Sequence, residues 1–282
     1  MAQLSISRAW DEGTRFAARE FRLLYPVALL LLELPTLLVA LITPRVDTSG
    51  IMDPRILVET IGIGTFILIF VVLGLVVFAL QTLGSMTISL LALRPGASVG
   101  ESLSVSAGRL PALFAAVLLL GVGLLLLMLP VWLLVVGSFA VRPSIEGGIG
   151  MLFLFLLFFL FIAAVSTRLV LMTPVGVAER VGPVGIISRS WRLTSGHFWK
   201  LFGTFLLIGI VYLILAFAIS FVLLLFTRGL IGSPDFNPTA GFVFQLLTAL
   251  FTAAIAVFFI TFVARIYAQL SGRTEEIGEV FT

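Results

Sequence analysis

The chain has 282 residues, of which 60% are hydrophobic and only 11% are charged. Soluble domains carry about 25% charged residues, so this composition excludes an ordinary soluble protein and predicts an integral membrane protein. No cysteine is present, which excludes disulfides, thiolate metal sites and a cysteine nucleophile. The net charge is +3, but the basic residues lie between apolar runs, so they indicate anionic lipid headgroups and membrane topology rather than nucleic acid.

Six apolar runs are long enough to cross a bilayer. About 20 helical residues span the hydrocarbon layer, because an α-helix rises about 1.5 Å per residue and the layer is about 30 Å thick. The sequence therefore predicts an all-α polytopic protein with six transmembrane helices. The first run is too long for the apolar part of a signal peptide, so we expect no cleavable signal. The runs are 23–43, 59–83, 111–137, 149–173, 200–226 and 241–267.

The basic residues are divided unequally between the two sides of the membrane. Twelve lie in the termini and the even-numbered loops, and four lie in the odd-numbered loops. Because cytoplasmic loops carry the excess of Lys and Arg, this asymmetry predicts a multi-pass protein of the bacterial inner membrane with both termini in the cytoplasm. The twelve are Arg8, Arg15, Arg19, Arg22, Arg94, Arg109, Arg180, Arg189, Arg192, Lys200, Arg265 and Arg273, and the four are Arg45, Arg55, Arg142 and Arg228.

The segments that precede the odd-numbered spans repeat a pattern. Ile-Ser-Arg-Ala-Trp at 6–10 matches Ile-Ser-Arg-Ser-Trp at 187–191, and a more degenerate copy begins at Val99. The shared spacing of four, three and four residues keeps the aligned positions on one helical face. We interpret the chain as a single transmembrane domain of three repeats, each an interfacial amphipathic helix followed by a helical hairpin. The repeats are 1–93, 94–181 and 182–282, and the aligned positions are Ile6, Trp10, Gly13 and Ala17; Val99, Leu103, Ser106 and Leu110; and Ile187, Trp191, Thr194 and Phe198.

The third copy, residues 182–202, is the best preserved. Its opposite face carries Ser188, Arg189, Arg192 and Ser195, so we expect the helix to lie along the interface with its tryptophan towards lipid and its arginines towards headgroups. The alternative is that this helix only anchors and orients the next span. The candidate headgroup-contacting residues are Arg189, Trp191, Arg192, His197, Trp199 and Lys200, with Arg8 and Trp10 in the first copy.

Two stretches of about forty residues in total carry a family resemblance. They are Glu-Arg-Val-Gly-Pro at 179–183, followed by 188–194 and 196–203, and Arg94-Pro95 followed by Ser-Val-Gly-Glu at 98–101. They resemble the membrane domain associated with some glycerophosphoryl diester phosphodiesterases and related six-span bacterial membrane proteins. The resemblance implies an all-helical membrane module. That family's phosphodiesterase activity belongs to a separate barrel with histidine and acidic metal ligands, and this chain has one histidine, His197, and no room for a barrel of about 250 residues.

Two charged residues, one acidic and one basic, fall well inside the apolar runs rather than at their ends. Glu33 lies in the middle of the first, and a carboxylate at that depth costs about 2.5–3.5 kcal/mol, so we expect it to face the bundle interior. It could relay a proton or cation, or form a structural bond to a neighbouring helix, which we favour. Arg168 lies close enough to the cytoplasmic end to reach it by snorkelling, which we favour over pairing with Glu33. Pro130 is expected to bend or divide the long run that contains it.

These observations favour a non-enzymatic membrane scaffold that contacts anionic lipids or a membrane-protein partner. No nucleophile–base pair, metal-ligand cluster or cofactor motif supports an enzyme, and we expect no cofactor. The alternative is a small transporter or lipid-handling protein with a cavity near Glu33, although three parallel hairpins differ from the usual transporter repeats. A water-filled cavity reaching Glu33 would discriminate between the two.

Overall fold

The computed structural model describes residues 4–42, 63–141, 145–234 and 237–272. Within these ranges every regular element is helical, and six helical segments are long and apolar enough to cross a membrane. The predicted all-α polytopic architecture is confirmed. Residue 43, residues 59–62 and four of the arginines used for the topology, Arg45, Arg55, Arg142 and Arg273, lie outside the described residues.

The first membrane-spanning segment, Phe21–Val39, combines two α-helices and the π-helical turn Leu29–Glu33 between them. The other elements are single helices or short helices that flank the spans. In chain order the α-helices are α1 Ile6–Arg19, α2 Phe21–Ala28, α3 Leu34–Ile42, α4 Ile63–Leu93, α5 Val99–Val141, α6 Ile145–Leu169, α7 Met172–Ala178, α8 Pro183–Ser195, α9 Phe198–Leu230 and α10 Pro238–Ser271.

The first and last parts of the described chain, at Leu4 and near Gln269, lie at one end of the molecule, which we call the basal end. The backbone N–H of Ser5 donates to Oε1 of Gln269 at 3.1 Å, and Nζ of Lys200 donates to the backbone oxygen of Leu4 at 2.8 Å. Leu4 and Ser5 are therefore held against α10 near its end and against the first turn of α9. An even number of spans requires this arrangement.

The buried residues concentrate at the basal end. We define the basal core as residues 86–93 of α4, 172–177 of α7 and 262–268 of α10, nearly all of which are buried. α4 contacts both α7 and α10, while α1 covers α10, α5 covers α4, and α8 packs on α6 and α7. Because apolar side chains gain by leaving water, a core of this kind is expected where helices extend beyond lipid.

Helix lengths support this placement of the basal core. α10 has 34 residues and is about 50 Å long, whereas the hydrocarbon layer is about 30 Å thick. About 20 Å of the helix must therefore lie outside the hydrocarbon. The distal halves are the part suited to lipid, because residues 68–76, 118–130, 153–161 and 210–218 are mostly exposed and almost wholly apolar.

The second amphipathic segment differs from the prediction of a separate interfacial helix. It forms the first turns of α5, which continues without interruption from Val99 to Val141 and has Pro111 and Pro130 within it. Of the two expectations for Pro130, a bend or a division of the run, the division does not occur. A proline removes one backbone hydrogen bond and disturbs the preceding turn, but the bonds on either side are enough to keep the helix continuous.

Candidate lipid-headgroup site

The helix of the third copy, α8, is placed by a short turn. It begins at Pro183, whose fixed φ suits the first helical position, after Gly182 in an extended conformation. Its buried residues are Ile186, Ser190 and Thr194. Of the residues on the face that the three copies share, Thr194 is therefore turned inward, whereas Trp191 is 47% exposed.

Two residues of this inward face, Ser190 and Thr194, are small and polar because their hydroxyls bond the C-terminal end of a neighbouring helix. α6 ends at Leu169 and leaves backbone carbonyls without partners in its own helix. The hydroxyl of Ser190 donates to the backbone oxygen of Arg168 at 2.9 Å, and the hydroxyl of Thr194 lies 3.2 Å from the same oxygen. α8 therefore caps the broken fourth span while lying across it.

The side chain of Arg168 is held between two aromatic rings. Its guanidinium carbon lies 4.4 Å from the ring centroid of Phe198 and 5.2 Å from that of Trp191. Cations are attracted to the faces of aromatic rings at such distances. The structure therefore gives Arg168 an aromatic environment at the level of α8, and the alternative pairing with Glu33 is not formed.

The outward residues of α8 and the first turn of α9 form a mixed aromatic and basic surface. Trp199 is 79% exposed, and Arg192 and Lys200 are exposed. His197 is half-buried and occupies the N-cap position of α9. Tryptophan with arginine or lysine at one level is typical of the boundary between lipid tails and headgroups. We call Trp191, Arg192, Trp199 and Lys200 the interfacial belt.

Arg189 has a different environment from the other predicted headgroup residues. Its Nε donates to the carboxylate of Glu179, with both oxygens at 3.1 Å, and its side chain is 36% exposed against 19% for Glu179. Tyr267, fully buried in α10, donates its hydroxyl to Oε1 of Glu179 at 2.9 Å. Arg109 of α5 donates to the backbone oxygen of Glu179 at 2.8 Å. We call these four residues the Glu179 cluster.

The Glu179 cluster was missed in the sequence reading, although one signal for it was present. Glu179 is the only acidic residue between Glu146 and Asp235, a stretch that carries six basic ones. An isolated acid among arginines favours a specific ion pair. The partner Tyr267 lies 88 residues further along the chain, so no local pattern reveals it.

The first copy presents a related but simpler surface. Arg8 pairs with Glu12 one helical turn later at 2.6 Å, and both are at least partly exposed, so this pair contributes little to stability. Trp10 is 46% exposed and its ring packs edge-on against Phe262 at 5.4 Å. Arg8 and Trp10 thus lie on α1, where it covers the basal end of α10.

Glu33 ends the π-helical turn in the first span and is half-buried. Beside it, Nε2 of Gln81 donates to the backbone oxygen of Leu32 and to the hydroxyl oxygen of Thr36, both at 3.1 Å. The amide of Gln81 therefore supplies a hydrogen bond to the backbone of the wide turn. In the described part of the chain the Glu33 carboxylate has no hydrogen-bond or salt-bridge partner.

Comparison with known proteins gives no relative for this chain: no family model, curated protein or solved structure matches it. Among the described residues, no group of three or more His, Asp or Glu side chains is arranged to hold a metal ion. The class that the fold defines is a polytopic helical membrane protein. What it does must be argued from its own geometry.

Proposed function

We propose that the protein is a non-enzymatic scaffold of the bacterial inner membrane that binds anionic phospholipid headgroups through the interfacial belt. The observation that carries the proposal is the position of the belt. Trp191 and Trp199 are exposed and Arg192 is exposed beside them, at the level where the buried basal core gives way to lipid-exposed helices. Cations at this level attract anionic lipid, each by about 1 kcal/mol.

Three further proposals follow from the same architecture. The chain consists of three repeats, 1–93, 94–181 and 182–282, supported by the burial of the aligned Gly13, Ser106 and Thr194. The basal end faces the cytoplasm, supported by the excess of basic residues there. The chain belongs with the phosphodiesterase-associated membrane modules that it resembles, supported by the position of the motif residues 179–203 at the belt and in the Glu179 cluster.

Replacing Arg192 with glutamine is expected to weaken binding of phosphatidylglycerol about fivefold, because one exposed cation near an anionic surface is worth about 1 kcal/mol. Purified protein in mixed micelles, titrated with phosphatidylglycerol or with zwitterionic phosphatidylcholine, measures this by native mass spectrometry. Arg192 is a better probe than Arg189, whose Nε is already bound to Glu179.

A matched control for this experiment is Arg94→Gln. It removes the same charge from an exposed position in the turn after α4, which carries no residue of the belt. Equal losses for both variants, or equal binding of both lipids by the unaltered protein, would show that the belt has no headgroup site and would leave it an anchor only.

The orientation of the protein in the membrane can be tested by labelling single cysteines, because the chain has no native cysteine that would also react. Single cysteines at Arg94 and Arg180, both exposed at the basal end, are expected to react with a membrane-impermeant thiol reagent only after cells are permeabilised. A cysteine at Gly229, exposed at the distal end, is expected to react in intact spheroplasts. The reverse pattern would overturn the cytoplasmic placement of the termini.

A partner protein in the membrane is a further part of the scaffold proposal. The exposed apolar distal halves suit lipid or another membrane helix equally well. The second candidate function, a small transporter or lipid-handling protein, is favoured by one observation: polar side chains gather at the depth of Glu33.

A further inference from the structure

The guanidinium of Arg168 is a cation without a carboxylate partner. Among the described residues it forms no ion pair and donates no hydrogen bond. The rings of Trp191 and Phe198, with centroids 5.2 and 4.4 Å from its Cζ, attract the charge through their faces. Neither ring accepts an ordinary hydrogen bond, because phenylalanine has no polar atom and indole has only a donor. The rings therefore balance part of the charge and leave the N–H groups without acceptors.

The burial of its nitrogens shows which edge of this guanidinium is open. Nη1 of Arg168 is enclosed by the protein and has no partner. Nε and Nη2 also lack a partner among the described residues but are not enclosed, and the side chain as a whole is half-buried. In arginine the N–H bonds of Nε and Nη2 run parallel, and they bind two oxygens of one carboxylate or phosphate. The open edge is therefore one that suits an oxyanion.

The elements packed on the end of α6 supply no such anion. α6 contacts α5, α8 and α9, and α8 and α9 carry no acidic residue. Glu146 lies about 33 Å from Arg168 along α6 itself. Glu101, the one acid of α5, is exposed at the start of that helix, and Glu179 is bonded to Arg189. A counter-charge for Arg168 must therefore come from outside the described part of the chain.

The level of Arg168 favours a lipid as the source of that charge. It lies about 10 Å along α6 from Phe161, which ends the exposed apolar stretch 153–161. Trp191, beside the guanidinium, is itself part of the interfacial belt. A phospholipid places its phosphodiester at this level and its acyl chains along the exposed apolar surface of α6. A free phosphate ion gains nothing from that surface, because it has no apolar part to bury.

Arg168 is also fixed in position without a ligand. Its backbone oxygen accepts hydrogen bonds from the hydroxyls of Ser190 at 2.9 Å and Thr194 at 3.2 Å, and the two rings hold its side chain. A side chain held in this way loses little conformational freedom when it binds, so more of the interaction energy appears as affinity.

We propose that Arg168 is the phosphate-binding residue beside the interfacial belt: its Nε and Nη2 donate to two oxygens of the phosphodiester of a bound phospholipid. Trp191 and Phe198 hold the guanidinium in place. The proposal rests on the proposed headgroup binding and names the chemical group that is bound. Arg192 responds to the net charge of the headgroup, whereas Arg168 binds the phosphodiester that anionic and zwitterionic phospholipids share.

Native mass spectrometry of the full chain in mixed micelles tests this assignment with three lipids that have the same acyl chains. They are phosphatidylglycerol, phosphatidylcholine and diacylglycerol, which has no phosphate. Arg168→Gln is expected to weaken binding of both phospholipids about tenfold, because hydrogen bonds to a charged group are lost, and to leave diacylglycerol binding unchanged. Arg192→Gln is the matched comparison and should weaken binding of phosphatidylglycerol alone. Arg94→Gln should change none of the three.

If Arg168→Gln does not fold, Arg168→Lys serves instead. Lysine keeps the charge but lacks the parallel N–H pair, so we expect about a threefold loss for both phospholipids. Unchanged phospholipid binding, or an equal loss for diacylglycerol, would overturn the role of Arg168 and leave headgroup binding through Arg192 intact. Displacement of the phospholipid by inorganic phosphate at constant ionic strength would overturn the lipid as the source of the phosphate. If the unaltered protein bound neither phospholipid better than diacylglycerol, the proposed function would fail as well.

Discussion

Replacement of Glu179 by alanine is expected to lower the free energy of unfolding by about 2–4 kcal/mol, the largest loss we expect for any single polar residue outside the spans. Glu179 is the acceptor for Arg189 of α8 and for Tyr267 of α10. Its loss removes a charged acceptor from a guanidinium and from a fully buried phenol, and each hydrogen bond to a charged group is worth about 1.5–3 kcal/mol.

The measurement is the apparent thermal unfolding of the purified protein in detergent, compared across a double-mutant cycle. Tyr267→Phe removes one bond to a charged group and is expected to cost about 1.5–3 kcal/mol. Because the two residues share one bond, the double variant should be less destabilised than the sum of the single ones. Glu101→Gln is the control, since Glu101 is exposed. Additive effects, or an effect of Glu101→Gln as large as that of Glu179→Ala, would contradict a coupled cluster.

The Glu179 cluster also links several elements of the fold. Arg109, Glu179, Arg189 and Tyr267 come from α5, the turn before α8, α8 itself and α10. Ionic and hydrogen-bonded groups with fixed geometry specify an arrangement more strictly than apolar contacts do. Since α8 carries Trp191 and Arg192, half of the interfacial belt, the cluster contributes to how the belt is held against the basal core.

The six spans were predictable because their cause is local. Twenty apolar residues in a row have few alternatives to a membrane helix, whatever the rest of the chain does. The ends of the helices were less predictable: the sequence suggested a span ending near residue 83, whereas α4 continues to Leu93. The extra turns are buried in the basal core, and apolar residues buried by protein look the same in sequence as those buried by lipid.

The face of α8 shows the same ambiguity at the level of single residues. The pattern put Ile187, Trp191, Thr194 and Phe198 on one face and directed the tryptophan towards lipid, but it did not identify the face that packs on the protein. The structure places Ser190 and Thr194 inward, because their hydroxyls bond the backbone oxygen of Arg168. That carbonyl is available for these bonds only because α6 ends at Leu169. The sequence near residue 190 does not indicate where α6 ends.

The environment of Glu33 could be predicted only in part. Its depth followed from counting residues along the first span, and the prediction that it is functionally important or bonded to a neighbour followed from the energy of a carboxylate in lipid. Gln81, by contrast, is a neutral residue in an apolar helix, and only the packing of α4 against the π-helical turn brings its amide to Leu32 and Thr36.

The second large effect concerns the contact of α1 with α10. A Cβ on Gly13 would lie 3.0 Å from Cα and 3.2 Å from the backbone nitrogen of Phe262. Backbone atoms of a packed helix cannot turn aside as a side chain can, so Gly13→Leu must push the two helices apart. We expect a loss of about 1–3 kcal/mol, the range for overpacked sites, and partial release of the N-terminal segment.

Limited proteolysis with trypsin, which cuts after Arg8 and Arg15, reports this release, and thermal unfolding in detergent reports the stability. Gly108→Ala is the informative control, because Gly108 is an exposed residue inside α5 with open space around it. There the better helix propensity of alanine acts alone and should stabilise by up to about 1 kcal/mol. Gly13→Ala gains the same propensity but meets the Phe262 backbone, so it should be destabilising or neutral. If both alanine variants were stabilising by the same amount, α1 would not pack on α10 at Gly13, and the N-terminal helix would be a separate interfacial element.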